Sequence, residues 1–448
     1  MPPSPDTKAG ANTQQPAVNE KRSVQNEVTP AEETGLEDEV PLEDQEQDFP
    51  EGGLRAWLVV LGCWLSCFGA LGFANSMATI HAYISRHQLA DHGEGSIGWI
   101  FSLWAFLSFF CGIYVGPIFD KYGPKWLLAA GGVCVVACPM LLSICTEYWS
   151  FILVFGVLNG IGGALLLTPS YATVGHWFKQ RRGLATGIAS TGSSFGGMVY
   201  PIILRVLFEQ AGWRWGMWAV GLINLFCCVC AFFLVRTRLS STGGMSLHPD
   251  LKIFRDVAFS LATLGVFLME FALFIPMTYV SSYALRKGFG LSFSYQIPTI
   301  LNAASICGRI LAGWWGDQFG AFNSHMLASI LCCTSCLAIW LPAGSSLAGL
   351  VVFVAMFGFG SGSHMSMNPV CIGKLCGIKN YGRYWATSCT VASFAGLIGV
   401  PLGGQLISGA GGEYWSAIVF AGCLYGACGV TMYAAKGKCV GWKPWVLF

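Results

Sequence analysis

The sequence predicts an all-α integral membrane protein, with twelve transmembrane helices in two pseudo-symmetric six-helix bundles, and three observations predict it. Composition is the first: 448 residues are 54% hydrophobic, 14% aromatic and 11% charged, whereas soluble domains carry roughly a quarter charged residues. The second is a succession of apolar runs that reach the ~20 residues needed to cross a hydrocarbon core of about 30 Å. The third is an internal repeat about 200 residues apart. Gly160-Ile-Gly162-Gly163-Ala-Leu-Leu-Leu-Thr-Pro169 returns as Gly360-Ser-Gly362-Ser-His-Met-Ser-Met-Asn-Pro369. Gly116-Pro-Ile-Phe-Asp120-Lys-Tyr-Gly123 is answered by Gly313-Trp-Trp-Gly-Asp317-Gln-Phe-Gly320, and Arg182-Gly-Leu-Ala185-Thr186 by Arg383-Tyr-Trp-Ala386-Thr387. Duplicated halves in a membrane chain accord with transport by alternating access around a central site.

The elements follow in order. Residues 1–50 carry twelve Asp or Glu against three Lys or Arg and are rich in Pro, Glu, Gln and Thr. Such a segment cannot bury enough apolar surface to fold alone, so it is read as a disordered acidic cytosolic tail, and no cleavable signal peptide is expected there. An N-terminal bundle over 51–236 takes spans near 57–82, 95–117, 125–145, 149–175, 183–207 and 213–235. The fourth contains the first Gly-Pro repeat. The fifth presents Ala185, Gly187, Ala189, Gly192, Ser193, Gly196 and Gly197 as a small-residue face that permits close helix approach. A cytosolic linker over 237–256 leads to a C-terminal bundle over 257–436, with spans near 257–284, 293–315, 323–343, 347–372, 384–408 and 414–435, and a short tail over 437–448. In the two Gly-Pro helices the same residues serve as packing notches or as bending points, and the readings are compatible.

Basic residues set the orientation. Nineteen of the 25 Lys and Arg fall in the tails and even-numbered loops; only Arg86, Arg205, Arg214, Arg286 and Lys287 fall at the opposite face, and Arg309 lies within a span. By the positive-inside rule both termini are expected in the cytosol. The net charge of +2 splits into −9 for residues 1–50 and +11 for the rest. That basic rim suits anionic lipid headgroups, and no nucleic-acid partner is indicated. The nineteen cysteines lie nearly all inside apolar runs. There they behave as small hydrophobes, with neither a disulfide framework nor a metal site expected. No Walker-type Gly-x-x-x-x-Gly-Lys-Ser/Thr loop is present, so the driving force is expected to be a gradient. No cofactor and no enzymatic constellation is read from the chain.

Gly116-x-x-x-Asp120-Lys121-x-Gly123-x-Lys125, degenerate again at Gly313 to Gly320, resembles the signature loop of the major facilitator superfamily. Within it, Trp177-Phe-Lys-Gln-Arg181-Arg182-Gly-Leu-Ala-Thr-Gly187-Ile-Ala-Ser-Thr-Gly192-Ser-Ser-Phe-Gly196 is similar to the fifth-helix motif of the monocarboxylate porter family, in its fungal branch. Glu51-Gly52-Gly53-Leu54-Arg55-Ala56-Trp57 resembles that family's motif before the first helix, with Leu54 in its aromatic position and one extra residue before Trp57. The resemblance covers about residues 50 to 436 and implies the major facilitator fold. It also implies a cytosolic gate: Asp120 faces a helix dipole in the other half, and Lys121, Lys125, Arg181 and Arg182 pair with acidic groups or lipid, with Asp317 as the second-half counterpart of Asp120. The alternative for each basic residue is that it only sets topology.

Two ionisable groups fall at bilayer depth, where insertion costs about 2.5–3.5 kcal/mol, and are functional candidates by default. Arg309 matches the eighth-helix arginine implicated by the resemblance in binding a substrate carboxylate, for which its planar fork of donors is suited. The family's lactate-type members add an aspartate one turn earlier and a lysine late in the first span. Here those places hold Ser305 and Asn75, so their proton mechanism does not carry over and a larger or less acidic solute is expected. Glu270, near the middle of the seventh span, is the candidate for proton coupling, or else a neutral buried acid; the helical rise puts it too far from Arg309 for an easy pair. Asn75, Tyr171, Asn302, His364 and Asn368 complete the candidate binding residues; like His81, they are weaker signals, since such a residue in a membrane helix is more often a bond between helices than a ligand contact. His176 is placed at the interface.

The functional expectation is a secondary-active transporter of a small, carboxylate-bearing organic solute. An exporter of a fungal secondary metabolite and a non-transporting nutrient sensor are the alternatives. The plasma membrane is the expected location, with a vacuolar or other internal membrane as the alternative. Oligomeric state is not assigned.

Overall fold

The computed structural model describes residues 49–238, 251–344 and 346–443, apart from the side chains of Glu94, Leu291, Ser292 and Tyr295. The acidic tail up to residue 48, linker residues 239–250 and the last five residues therefore lie outside the described part. Among the described residues, eleven helices are long and apolar enough to cross a membrane: α1 (Leu54–Ile84), α2 (Gly95–Tyr122), α3 (Lys125–Leu142), α4 (Tyr148–Trp177), α5 (Arg182–Gln210), α6 (Gly212–Leu234), α7 (Val257–Arg286), α9 (Ala321–Ala343), α10 (Leu347–Lys374), α11 (Ile378–Gly409) and α12 (Trp415–Val440). The remaining one, α8 (Leu291–Phe319), has the length but is diluted by Asn302 and Arg309. That dilution is itself a signal, since polar groups at this depth need partners inside the protein.

Glycine decides how closely these helices pack. A Cβ on Gly160 of α4 would stand 2.9 Å from the Leu107 Cβ of α2, and one on Gly163 would stand 2.9 Å from Ser108 Oγ. The second half repeats the device between α8 and α10. There a Cβ on Gly358 would meet the Leu301 carbonyl, and one on Gly362 the Ser305 carbonyl. Both Gly-Pro helices thus use their glycines as packing notches, bringing backbones together where lipid offers no hydrophobic drive for association.

Within the first half, α1 carries a π-helical turn at Phe68–Gly72, a local widening often placed at functional sites. Gly72 there lies against Gly196 of α5, where a Cβ would come within 2.7 Å of its Cα. The outer faces carry large apolar side chains suited to lipid. Trp99, Trp126, Trp149, Trp215 and Trp415, all near helix starts, are exposed in the manner of interfacial aromatic belts.

The two halves meet along two seams. One pairs α5 with α8: a Cβ on Gly183 would strike the Gly313 carbonyl at 2.5 Å, and one on Gly187 would strike that of Arg309. The other pairs α2 with α11. Gly116 there faces the Gly382 carbonyl and the Ala386 Cβ, Phe106 packs edge-on to Phe394 at 5.4 Å, and Thr390 Oγ1 donates to the Phe110 carbonyl at 3.2 Å. The contacts of Gly116, Gly183 and Gly187 lie in the portions of the helices nearest Asp120 and Asp317, called the basic end, and that of Phe106 with Phe394 lies near the middle of α2 and α11, so the halves are closed together from the basic end inward.

Candidate functional site

Arg309 reaches the first half because small residues on α5 let α8 lie against it. The arginine is 7% exposed. Its Nε donates to Ser305 Oγ at 3.2 Å, and its Nη1 donates to the Ser190 carbonyl and to Ser193 Oγ, the latter at 2.7 Å. Ser194 Oγ donates to Ser305 Oγ at 3.3 Å. A guanidinium has five N–H donors, so these bonds leave the pair on Nη2. That nitrogen has no protein acceptor among the described residues and is not sealed away. It is the free edge of the arginine.

Other helices converge on the same place. Tyr171 of α4 and Cys67 of α1 lie close enough to Arg309 to interact with its charge, and Trp385 of α11 meets the Tyr171 ring edge-on at 6.0 Å. Further along the seam, Asn75 Nδ2 donates to the Ser193 carbonyl at 3.0 Å and Asn302 Nδ2 to the Pro298 carbonyl at 2.9 Å. Both asparagines border Gly197, where a Cβ would be 2.9 Å from the Asn75 Cβ and 3.0 Å from Asn302 Nδ2. The structure thus brings Arg309, Tyr171, Asn75 and Asn302 together on one seam with Ser190, Ser193, Ser194, Ser305 and Trp385. Of the serines, Ser193 stood in the sequence as part of a small-residue face and Ser305 as the residue one turn before Arg309, while Ser190 and Ser194 carried no signal.

His364 and Asn368 sit elsewhere. They point into the interior of the second half, where His364 Nδ1 lies 3.3 Å from His325 Nε2, which also bonds Asn368 Oδ1. His325, a single histidine in an apolar run, carries no signal in the sequence that marks it out. Glu270 is buried at 5% exposure, with Oε2 lacking a hydrogen-bond partner, and no ion pair joins it to Arg309 among the described residues.

At the basic end two carboxylates cross between halves. Asp120, at the end of α2, accepts from the backbone N–H of Gly382 at 3.0 Å and of Arg383 at 2.8 Å. Asp317, at the end of α8, accepts from those of Gly183 at 2.6 Å and Leu184 at 2.8 Å. Each carboxylate therefore sits on the first turn of a helix of the other half, where free N–H groups and the helix dipole favour an anion. Arg182 departs from the expected pairing with an acid or lipid. It is 7% exposed, with its guanidinium 4.0 Å over the Tyr381 ring and Nη1 donating to the Gly373 carbonyl at 3.5 Å. The aromatic face and the carbonyl-rich end of α10 attract a cation without an acid. The Lys121 ammonium lies 5.4 Å over the neighbouring Tyr122 ring, while Lys125 and Arg181 are exposed at the rim. His176, in the last turn of α4, is buried against the protein and bonded to Thr237 Oγ1 at 2.7 Å.

A third carboxylate joins this end. Glu51 Oε1 accepts from the backbone N–H of Lys179 and Gln180, both at 2.7 Å, and Oε2 from that of Arg181 at 3.1 Å. Glu51 holds φ at 48° and Gly53 at 84°. Glycine at 53 suits that left-handed turn, and the carboxylate's three bonds offset the strain at Glu51 itself. Glu51→Ala is expected to cost about 1 kcal/mol, as for loss of a helix cap. It should appear as a lowered unfolding midpoint of the purified protein, with transport retained.

Two helical bundles closed over a buried polar seam and latched at one end make a membrane transport protein of the two-bundle kind. Residues 59–400 match the family model described as Major Facilitator Superfamily, and the chain belongs to that superfamily. It is 35% identical over 397 residues to an "MFS-type transporter" of Gibberella moniliformis, covering 87% of this chain and 94% of that one. It is 32% identical to the riboflavin transporter MCH5 of Saccharomyces cerevisiae, over 90% of this chain and 82% of that one. To the fujikurins efflux protein of Gibberella fujikuroi it is 33% identical, over 94% and 90%. Among solved structures, the Escherichia coli transporter FucP in the outward conformation superposes with a TM-score of 0.68 at 17% identity, over 84% of this chain and 98% of that one. That likeness establishes the fold: twelve helices in two six-helix bundles. The protein is a multi-pass membrane transporter and not an enzyme.

Proposed function

We propose that this transporter is of the monocarboxylate porter type and moves a small organic solute bearing a carboxylate, with Arg309 as its anchor. The free Nη2 edge of a buried arginine on the seam between halves is the observation that carries this reading. Tyr171, Asn75 and Asn302 border the same seam and shape the rest of the site. The halves 51–236 and 257–436 rock as bodies, with Asp120, Asp317 and Arg182 holding the basic end shut, Lys121, Lys125 and Arg181 at its rim, and that end in the cytosol of a plasma-membrane protein.

Because Arg309 also bonds Ser190 and Ser193 of the first half, a bound carboxylate changes the charge balance of the contact that joins the halves, which links occupancy to closure. Comparative metabolite profiling of cells and medium, with and without the gene, identifies the solute; Arg309→Ala then tests the anchor. A hydrogen bond to a charged group contributes about 1.5–3 kcal/mol, so apparent affinity is expected to fall about ten- to hundredfold. Arg309→Lys should recover little, since a point charge cannot replace the fork. Unaltered transport by the alanine variant would remove the proposal.

Glu270 is the proposed proton carrier. Glu270→Gln in proteoliposomes is expected to abolish pH-driven accumulation while leaving exchange of solute across the membrane. A second reading keeps the fold and changes the direction: export of a fungal secondary metabolite, favoured by the efflux protein among the relatives. A product retained inside cells lacking the gene distinguishes it from uptake.

A further inference from the structure

We infer that the second half contains a proton-binding site apart from the Arg309 seam, a file of groups running from His325 through His364 and Tyr425 to Glu270. The inference rests on the reading of Glu270 as a proton carrier and gives that carrier its route.

The file is built from four helices. His325 lies one turn inside α9 and is fully buried, as is His364 of α10, with ring centroids 4.4 Å apart. The bond from His325 Nε2 to the Asn368 Oδ1 oxygen sets the protonation, because a carbonyl oxygen only accepts. His325 Nε2 thus carries a hydrogen, and His364 Nδ1 at 3.3 Å shares it as an acceptor. His364 is then a neutral imidazole with an Nε2–H, and His325 in its neutral form offers a bare Nδ1. The His364 ring lies nearly parallel to that of Tyr425 of α12, with centroids 5.6 Å apart and planes 22° apart. Glu270 stands on α7, which packs against both α12 and α11, within electrostatic range of Tyr425 and Cys389. It stands thirteen residues past Val257, about 20 Å into α7 at 1.5 Å per residue.

What marks this file as more than packing is its unused valence. His325 Nδ1, His364 Nε2 and Glu270 Oε2 are sealed from solvent with no hydrogen-bond partner among the described residues, and the Tyr425 hydroxyl is sealed likewise, with only the Cys332 thiol beside it. An unsatisfied buried polar atom costs about 1–3 kcal/mol. Four in succession across one bundle are a costly way to fill space that apolar side chains fill well, and they suit ordered water bridging proton donors and acceptors. The other titratable groups facing the file are Cys389 beside Glu270, and Cys332, Cys336 and Cys428 beside Tyr425. No lysine, arginine or second carboxylate faces it among the described residues.

The transfer balances. One proton arrives at His325 Nδ1 from the basic end, and the Nε2 proton passes to His364 Nδ1. The Nε2 proton of His364 then passes, through bridging water and the Tyr425 hydroxyl, to Glu270. Both imidazoles end neutral with their hydrogens exchanged between nitrogens, the carboxylate ends as the acid, and ring reorientation restores the starting tautomers.

Infrared spectroscopy of the full chain in lipid nanodiscs tests this without the solute. The carboxylic-acid band absent from Glu270→Gln is assigned to Glu270, and its shift is timed after transfer into heavy water. His364→Phe and Tyr425→Phe keep the ring shapes and are expected to slow that shift at least about tenfold, while Cys389→Ala, near Glu270 but outside the file, leaves it unchanged. Exchange at the original rate in both phenylalanine variants would overturn the route and leave the Glu270 reading standing. A wild-type spectrum with no band that Glu270→Gln removes would overturn that reading, and the route with it.

Discussion

Valine in place of Gly116 is expected to abolish turnover while leaving each half folded. A Cβ at this position would meet the Gly382 carbonyl and stand 2.7 Å from the Ala386 Cβ, and one on Gly382 would stand 2.5 Å from Asp120 Oδ1. These obstacles are backbone and short side chains, which cannot swing aside, so the closed basic end must part. Overpacking typically costs about 1–3 kcal/mol and more against rigid backbone. A penalty at the top of that range shifts a two-state equilibrium about a hundredfold. Helix α2 itself tolerates valine, because Gly116 faces the other half and not its own neighbours in the first bundle. The measurement is reaction of an introduced cysteine at Thr390 with an impermeant maleimide, with exposed Cys307, Cys423 and Cys439 replaced. Labelling should increase from the basic side, and transport of the solute found by profiling should vanish. Wild-type transport by the variant would show that this end need not close.

The second large effect is expected from the cross-half carboxylates. Asp120→Ala removes two charge-assisted bonds to the first turn of α11. At about 1.5–3 kcal/mol for a hydrogen bond to a charged group, even partial recovery through water leaves the closed state at least about tenfold less populated. Asp120→Asn keeps one carbonyl acceptor and should fall between. Asp317→Ala acts in the same way on α5, and a double-mutant cycle separates two outcomes. Additive effects mean that both carboxylates hold one rigid closed state, whereas a second loss without effect means that either alone is dispensable once the other is gone. Labelling at position 390 reads the same equilibrium.

Much of this architecture was legible in the sequence. The helices follow from the thickness of the bilayer, which imposes a minimum apolar length, and Asp120 and Asp317 follow from the repeat that places each at the end of a helix. Arg309 stands out because charge at that depth is costly. The destinations of side chains were harder to read. Arg182 belongs to a basic run that looks like a topology signal, yet its guanidinium is spent on Tyr381 and Gly373. His325 and His364 meet only because α9 and α10 turn the same faces inward. A helix apolar all round has no stripe to show which neighbour each residue meets. Glu51 was visible as part of a motif, but its bonds to three backbone N–H groups more than a hundred residues away leave no trace in residue types, since backbone donors are the same everywhere.

The anonymity of those donors also bears on how such a chain can change. Asp120, Asp317 and Glu51 are all met by main-chain N–H groups, at 382 and 383, at 183 and 184, and from 179 to 181. Each bargain binds one side only: the acid is fixed, while the residue opposite is free to vary wherever its side chain does not intrude. Leu184 and Arg383 each give the second N–H to a carboxylate of the other half and share no side-chain chemistry, yet both serve. Two copies of an ancestral half can therefore drift far apart in sequence and still fasten to each other.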